Sequence, residues 1–133
     1  MASPIQPNII YSDFLFDFSR HPATNDLLRA TNEKAVVNSV KKILRTNHYE
    51  VPYRPLFGAN LYRYLFEPFT RFTINEMEDT IRDAITRWEP RVAIQDINIG
   101  GNPDGNSIDI SLTVSILNAP NPITINTTLT RIR

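Results

Sequence analysis

The chain has no cysteine, which excludes disulfides, thiolate nucleophiles and cysteine-ligated metal within its 133 residues. It has only two histidines, His21 and His48, and no HExxH run, so no metal-binding spacing is present and both read as ordinary loop residues. Glycine is equally scarce. Three of the four (Gly100, Gly101, Gly105) fall in one stretch with no Gly-Lys-Ser/Thr after it, which excludes a phosphate loop. No Gly-x-Ser-x-Gly elbow exists for a serine hydrolase. No apolar run approaches the roughly 18 residues of a membrane span. Met1-Ala2-Ser3-Pro4 lacks the basic and apolar regions of a secretory signal, so none is expected. Net charge is zero, and nothing global favours nucleic acid or a membrane surface. No cofactor, no metal and no catalytic residue is expected.

What is present is an ordinary soluble-protein composition, 41% hydrophobic and 21% charged, at a length that predicts one domain with its own core. The charges are unevenly spread. Residues 20–63 carry eight Lys or Arg against three acids, whereas residues 64–110 carry nine acids against four Arg. Such halves suit locking between charged neighbours, although they equally serve to solvate two helices. Lys41, Lys42, Arg45, Arg54 and Arg63 with Tyr53, Tyr62 and Tyr64 suggest a basic, aromatic face. The acidic second half and the neutral total oppose a polyanion there.

Along the chain, residues 1–12 read as a flexible arm and 13–133 as the single domain. Phe14, Phe16 and Phe18 alternate with Asp13, Leu15 and Asp17 at strand period, and His21-Pro22 ends the strand. Val36, Val37, Val40, Ile43 and Leu44 predict a helix over 32–46 with a basic last turn, and Leu61 and Leu65 a short helix near 60–66. Thr73-Ile74-Asn75-Glu76 has the form of a capping box opening a second main helix, with Met77, Ile81, Ile85 and Trp88 as its buried stripe. Strands follow at 92–99, 108–117 and 123–132, the first two joined by the glycine-rich stretch as a long-looped hairpin. In the middle strand Ile108, Ile110, Leu112, Val114 and Ile116 face one way, so one side of the sheet is buried. The last strand, poor in large apolar groups and rich in Thr, is a candidate edge strand. The predicted fold is α+β: a small single domain with two main helices on one face of a mostly antiparallel sheet.

The second helix runs into Trp88-Glu89-Pro90-Arg91. Pro90 has no N–H and disfavours helical geometry at Glu89, so the chain must turn there, with a carboxylate and a guanidinium on a stiff corner. Such a corner suits docking; the alternative is an internal Glu89–Arg91 bridge stitching helix to sheet. Paired carboxylates could serve a glycosidase, and Glu67 and Glu89 are the best-placed acids. Arg87 and Arg91 beside Glu89 favour its ionised form and argue against a general acid. The Glu, Asp and Thr spacing of one group of phage lysozymes occurs at none of the six glutamates.

Tyr11-Ser12-Asp13-Phe14, the helix containing Ala35–Leu44, Gly58-x-x-Leu61-x-x-x-Leu65-Phe66-Glu67, and Arg82-x-x-Ile85-x-x-Trp88-Glu89-Pro90-Arg91 occur in that order. This resembles the baseplate wedge and sheath-initiator family of contractile-tailed phages, misnamed gene 25-like lysozymes. Relatives serve in type VI secretion and other contractile injection machines. The resemblance spans roughly residues 11–132 and implies a non-catalytic virion protein of the tail baseplate, made in the host cytoplasm. It implies that Glu89, Pro90 and Arg91 dock on the wedge core-bundle proteins. It also implies that the C-terminal strands, through Ile123, Ile125, Thr127, Leu129 and Arg131, pair with arms of the tail sheath protein. Tail tube or hub proteins are further candidate partners; nucleic acid and membrane are not. Alternatives are a lysozyme-like enzyme cleaving peptidoglycan and the equivalent subunit of a type VI or other injection system. The run Asn118-Ala119-Pro120-Asn121-Pro122 departs from the family pattern and puts the register of the last strand in question.

Overall fold

The sequence pattern resolves into two kinds of element, and a computed structural model describes them over residues 12–14, 29–31, 33–102, 106–117 and 121–131. In chain order these are β1 (Ser12–Phe14), β2 (Arg29–Thr31), α1 (Glu33–Arg45), a 3-10 helix (Leu61–Phe66), α2 (Arg71–Trp88), β3 (Val92–Asn102), β4 (Ser107–Ile116) and β5 (Ile123–Thr130). The chain divides into two compact units, Met1–Asn38 and Ser39–Arg133. In the first, β1 and β2 pair antiparallel with Asp13 opposite Ala30. Phe16 and Phe18, the expected arm apart from Ser12, and Ile132 lie outside the described residues.

The second unit holds an antiparallel sheet in the order β3-β4-β5, so the predicted α+β architecture is the one found. Its apolar face is built by alternation: Ile108, Ile110, Leu112, Val114 and Ile116 of β4 are all buried, as are Ile125 and Leu129 of β5. β3 keeps to this face only through a β-bulge. Ile94 lies opposite Val114 and Asp96 opposite Thr113, leaving Gln95 as the extra residue. The insertion reverses the parity of the strand, so Val92 on one side of it and Ile97 and Ile99 on the other all turn inward. β5 joins β4 in unbroken register from Ser107↔Thr130 to Val114↔Ile123.

α2 lies against β3 and buries Met77, Ile81 and Ile85 completely. Each such side chain stabilises by about 1.5–3 kcal/mol. Val40, Ile43 and Leu44 of α1 and Leu61 and Tyr64 of the 3-10 helix are also buried. Trp88, expected to complete the α2 stripe, is only half-buried and meets Phe57 edge-on at 5.1 Å between ring centroids. Strand β3 runs through Gly100 and Gly101 rather than ending before them, which shortens the expected hairpin loop. A Cβ at Gly101 would lie 2.7 Å from the Phe69 ring, so any larger residue there requires that ring to shift.

The start of α2 also differs from expectation. Thr70, not Thr73, is the N-cap, and its hydroxyl accepts from the Thr73 amide at 3.3 Å. Thr73 is buried, so its own hydroxyl must be satisfied, and it donates to the Pro68 carbonyl at 2.9 Å. With Thr73 so engaged, the helix gains three residues at its front, Arg71 to Thr73. Thr70→Ala should therefore cost about 1 kcal/mol, whereas Glu76→Ala should cost less than about 0.5 kcal/mol as an exposed helical position. Thermal unfolding of the two variants checks this; a larger loss at Glu76 would restore the capping box.

Candidate functional site

At the end of α2 the Glu89 amide still donates to the Ile85 carbonyl at 2.8 Å, and there the helix stops because Pro90 follows. The Val92 amide closes the turn onto the Glu89 carbonyl at 3.2 Å, and Leu117 donates to the Arg91 carbonyl at 2.9 Å, which docks the corner onto β4. The Glu89 side chain turns inward and is 3% exposed. Its Oε1 accepts from Arg91 Nε. Its Oε2 accepts from Arg91 Nη2 at 2.6 Å and from Ser39 Oγ at 2.6 Å. The guanidinium thus grips the carboxylate with two parallel bonds, the strongest geometry open to such a pair. Pro90 is exposed at the tip of the corner, and the Arg91 side chain is 35% exposed.

Of the two arrangements open to Glu89 and Arg91, the chain by itself makes the internal bridge. Burial pushes the Glu89 carboxyl pKa up, but the hydrogen bonds from Arg91 and Ser39 and the Arg91 charge outweigh it and hold the pKa below the ordinary value. Ser39 was not foreseen: it lies fifty residues from Glu89 in sequence. The available signal was a lone hydroxyl on the α1 face that also carries Val36, Val40 and Ile43. Glu67 is exposed and borders an open cleft of about 230 Å³ lined by Tyr64, Phe69 and Ser107 among others. Among the described residues no three His, Asp or Glu cluster as a metal site would need, and no helix is long and apolar enough to cross a membrane.

The sheet supplies a second feature. Among the described residues β5 is an edge strand. The Arg131 amide donates to the Asn106 carbonyl at 2.9 Å, so odd-numbered residues of this strand direct their amides and carbonyls toward β4. Backbone groups alternate in direction residue by residue along a strand. Those of Thr124, Asn126, Thr128 and Thr130 therefore point to the open edge. Ile125, Thr127 and Leu129 have buried side chains, and they share with Ile123 and Arg131 backbone groups already directed at β4. The residues able to meet an added strand are thus displaced by one from the set named from sequence.

Residues 30–121 match the family model described as baseplate wedge protein gp25. The chain belongs to that family. The match contains the whole Glu89-Pro90-Arg91 corner with β3 and β4, and it ends before β5. Baseplate wedge protein gp25 of Enterobacteria phage T4 is 28% identical over 98 residues, 74% of this chain and 74% of its own. In fold, the chain is similar to one in the baseplate of the anti-feeding prophage, with a TM-score of 0.72 at 22% identity, covering 84% of this chain and 89% of that one. It is likewise similar to one in the post-contracted baseplate of pyocin R2, with a TM-score of 0.60 at 21% identity, covering 74% and 96%. A Geobacter sulfurreducens protein assigned by name to the tail lysozymes has a TM-score of 0.71 at 18% identity, covering 80% and 97%.

The lowered pKa of Glu89 fixes the sign of a pH effect. Its contribution to stability is complete above the ordinary glutamate value of 4.5 and is lost as pH falls through the lowered folded-state value. Glu89→Gln should cost about 2–3 kcal/mol at neutral pH, less than a fully buried pair because Arg91 is partly solvated. The same substitution should cost less near pH 3, where the unfolded chain already binds the proton because the pH lies below the ordinary glutamate value of 4.5. Urea unfolding at the two pH values checks this; an equal loss at both would contradict it.

Proposed function

We propose that this chain is a non-catalytic subunit of a contractile-tail baseplate that docks on the wedge core-bundle proteins and starts sheath assembly. The family match over 30–121, which contains the complete corner, supports this reading most. In it the Glu89–Arg91 bridge is the brace, and the exposed Pro90 with the outer side of Arg91 forms the contact. The corner needs no rearrangement on binding, so little conformational entropy is lost when it docks.

The open edge of β5 provides the second attachment. An arm of the sheath protein adding to Thr124, Asn126, Thr128 and Thr130 forms main-chain hydrogen bonds whose register sets the orientation of the first ring. Each bond contributes about 1 kcal/mol net, and as a row they resist load along the strand together. In this account the protein stays in the tail as a tether between wedge and sheath, after synthesis in the host cytoplasm. A peptidoglycan-cleaving reading would need a carboxyl kept protonated beside an ionised one. Glu89 is held ionised, the reverse of what a general acid requires.

Two substitutions separate these roles from folding. Pro90→Glu keeps both partners of the bridge and puts a charged side chain on the exposed tip, so it should remove wedge proteins from a pull-down while costing only the roughly 0.4–1 kcal/mol that a lost proline forfeits. Equal capture would contradict docking through this corner. Asn126→Pro removes an amide that faces the open edge, so the chain should fold and form baseplates that carry no sheath. Thr127→Pro removes a bond to β4 and should cost about 3 kcal/mol or more. Normally sheathed tails with Asn126→Pro would contradict strand addition.

A further inference from the structure

The segment between α1 and the 3-10 helix is long but firmly held. Its two ends are pinned together, the Ala59 amide donating to the Ile43 carbonyl at 3.0 Å and Asn60 to Thr46 at 3.2 Å. Gly58, at φ +99°, passes so close to Thr46 that a Cβ there would lie 2.3 Å from its carbonyl oxygen. Within the loop Tyr49 donates to the Pro55 carbonyl at 2.7 Å, and Arg54 to Val51 at 3.2 Å. This is a compact surface loop with closed ends.

Two features of it stand out. Tyr49 and Tyr53 both adopt the left-handed backbone region, at φ 68° and 65°, where a bulky L side chain is strained. The two residues are 80% and 102% exposed, and Leu56, three positions on from Tyr53, is 51% exposed. A fully solvated ring recovers no packing energy for the strain of its backbone. Strain retained at exposed positions points to a role outside the fold.

Charge identifies the occupant. Between residues 39 and 60 the chain carries Lys41, Lys42, Arg45 and Arg54 against one acid, Glu50. That carboxylate is engaged by Asn47 Nδ2 at 3.0 Å. Lys42, Arg45 and Arg54 are exposed. Exposed tyrosines and a leucine in one loop, with exposed cations in it and just before it in sequence, have the composition of a protein interface. A single-stranded nucleic acid would need a longer groove of cations to follow its backbone.

We propose that the loop of residues 46–57 is a further docking surface, in which Tyr49, Tyr53 and Leu56 seat against an acidic face of a partner protein and Arg45 and Arg54 pair with its carboxylates. The inference builds on the baseplate reading but uses neither the Pro90 corner nor the β5 edge. The test places a photo-reactive phenylalanine analogue at Tyr53 or, separately, at Pro90 in the full chain. Each is made together with the neighbouring tail proteins, and cross-linked peptides from purified particles are identified by mass spectrometry.

The expected result is a cross-link from position 53 to a net-acidic segment of one protein. No cross-link from 53 while 90 reacts overturns this inference and leaves the corner standing; the opposite pattern overturns the corner alone. Attachment of 53 to nucleic acid or to a basic segment also overturns it. Tyr49→Gly/Tyr53→Gly supplies the second readout. Its melting temperature should be equal to or above that of wild type, because strain is relieved, while its incorporation into particles falls severalfold. A lowered melting temperature with normal incorporation would assign both tyrosines to the fold.

Discussion

One buried carboxylate holds the middle of this molecule together. An ionised Glu89 removed from water is tolerable only with its oxygens fully bonded, and its partners are Arg91 and Ser39. Meeting that demand fixes the end of α2, the first residue before β3 and position 39 of α1 relative to one another. It also decides what reaches solvent. With Glu89 drawn inward and Arg91 folded back onto it, the exposed tip of the corner is Pro90. The motif thus divides its labour: the charged pair makes the corner rigid, and the proline between them presents it.

The sheet follows a similar logic of parity. Alternation puts one face of β4 wholly in the core, and β3 can match it over its whole length only because Gln95 is bulged out. On the far side β5 spends its odd-numbered backbone groups on β4 and leaves the even-numbered row open. Its threonine content suits both tasks, being β-prone yet too polar to bind other sheets indiscriminately. A rigid corner and an open strand edge differ in what they offer: the first is a preformed shape, the second a row of backbone groups open to a chain in register. In the proposed role, joining wedge to sheath, the two contacts would be complementary.

Much of this was legible in the sequence, for identifiable reasons. The stripe Met77, Ile81, Ile85 and the alternation of β4 are strong periodic signals, and both elements formed where those signals lie. The cap moved from Thr73 to Thr70 because Thr73 is buried and bonded to Pro68, a contact no local pattern reveals. The glycines at 100 and 101 read as a loop, yet both lie inside the strand, where Gly101 leaves room for the Phe69 ring. The bulge was visible in principle: Val92 and Ile94 share one parity, Ile97 and Ile99 the other. Ser39 was not, since a bond across fifty residues leaves no local trace. The row of free amides on β5 required knowing the pairing of Arg131 with Asn106, which only three-dimensional register supplies. The left-handed tyrosines were equally hidden, because nothing in Tyr49 or Tyr53 as residue types suggests positive φ.

The claim that most of the account rests on is that Glu89 is an internal, ionised brace, and it can be read on the carboxyl itself. Titration of the Glu89 side-chain carboxyl carbon by NMR in the free protein reports its protonation directly. The account predicts a midpoint below the ordinary glutamate value of 4.5, because the bonds from Arg91 and Ser39 outweigh burial. A midpoint at or above that value would show that the bridge does not hold in solution, and that the corner is free to offer Glu89 itself to a partner.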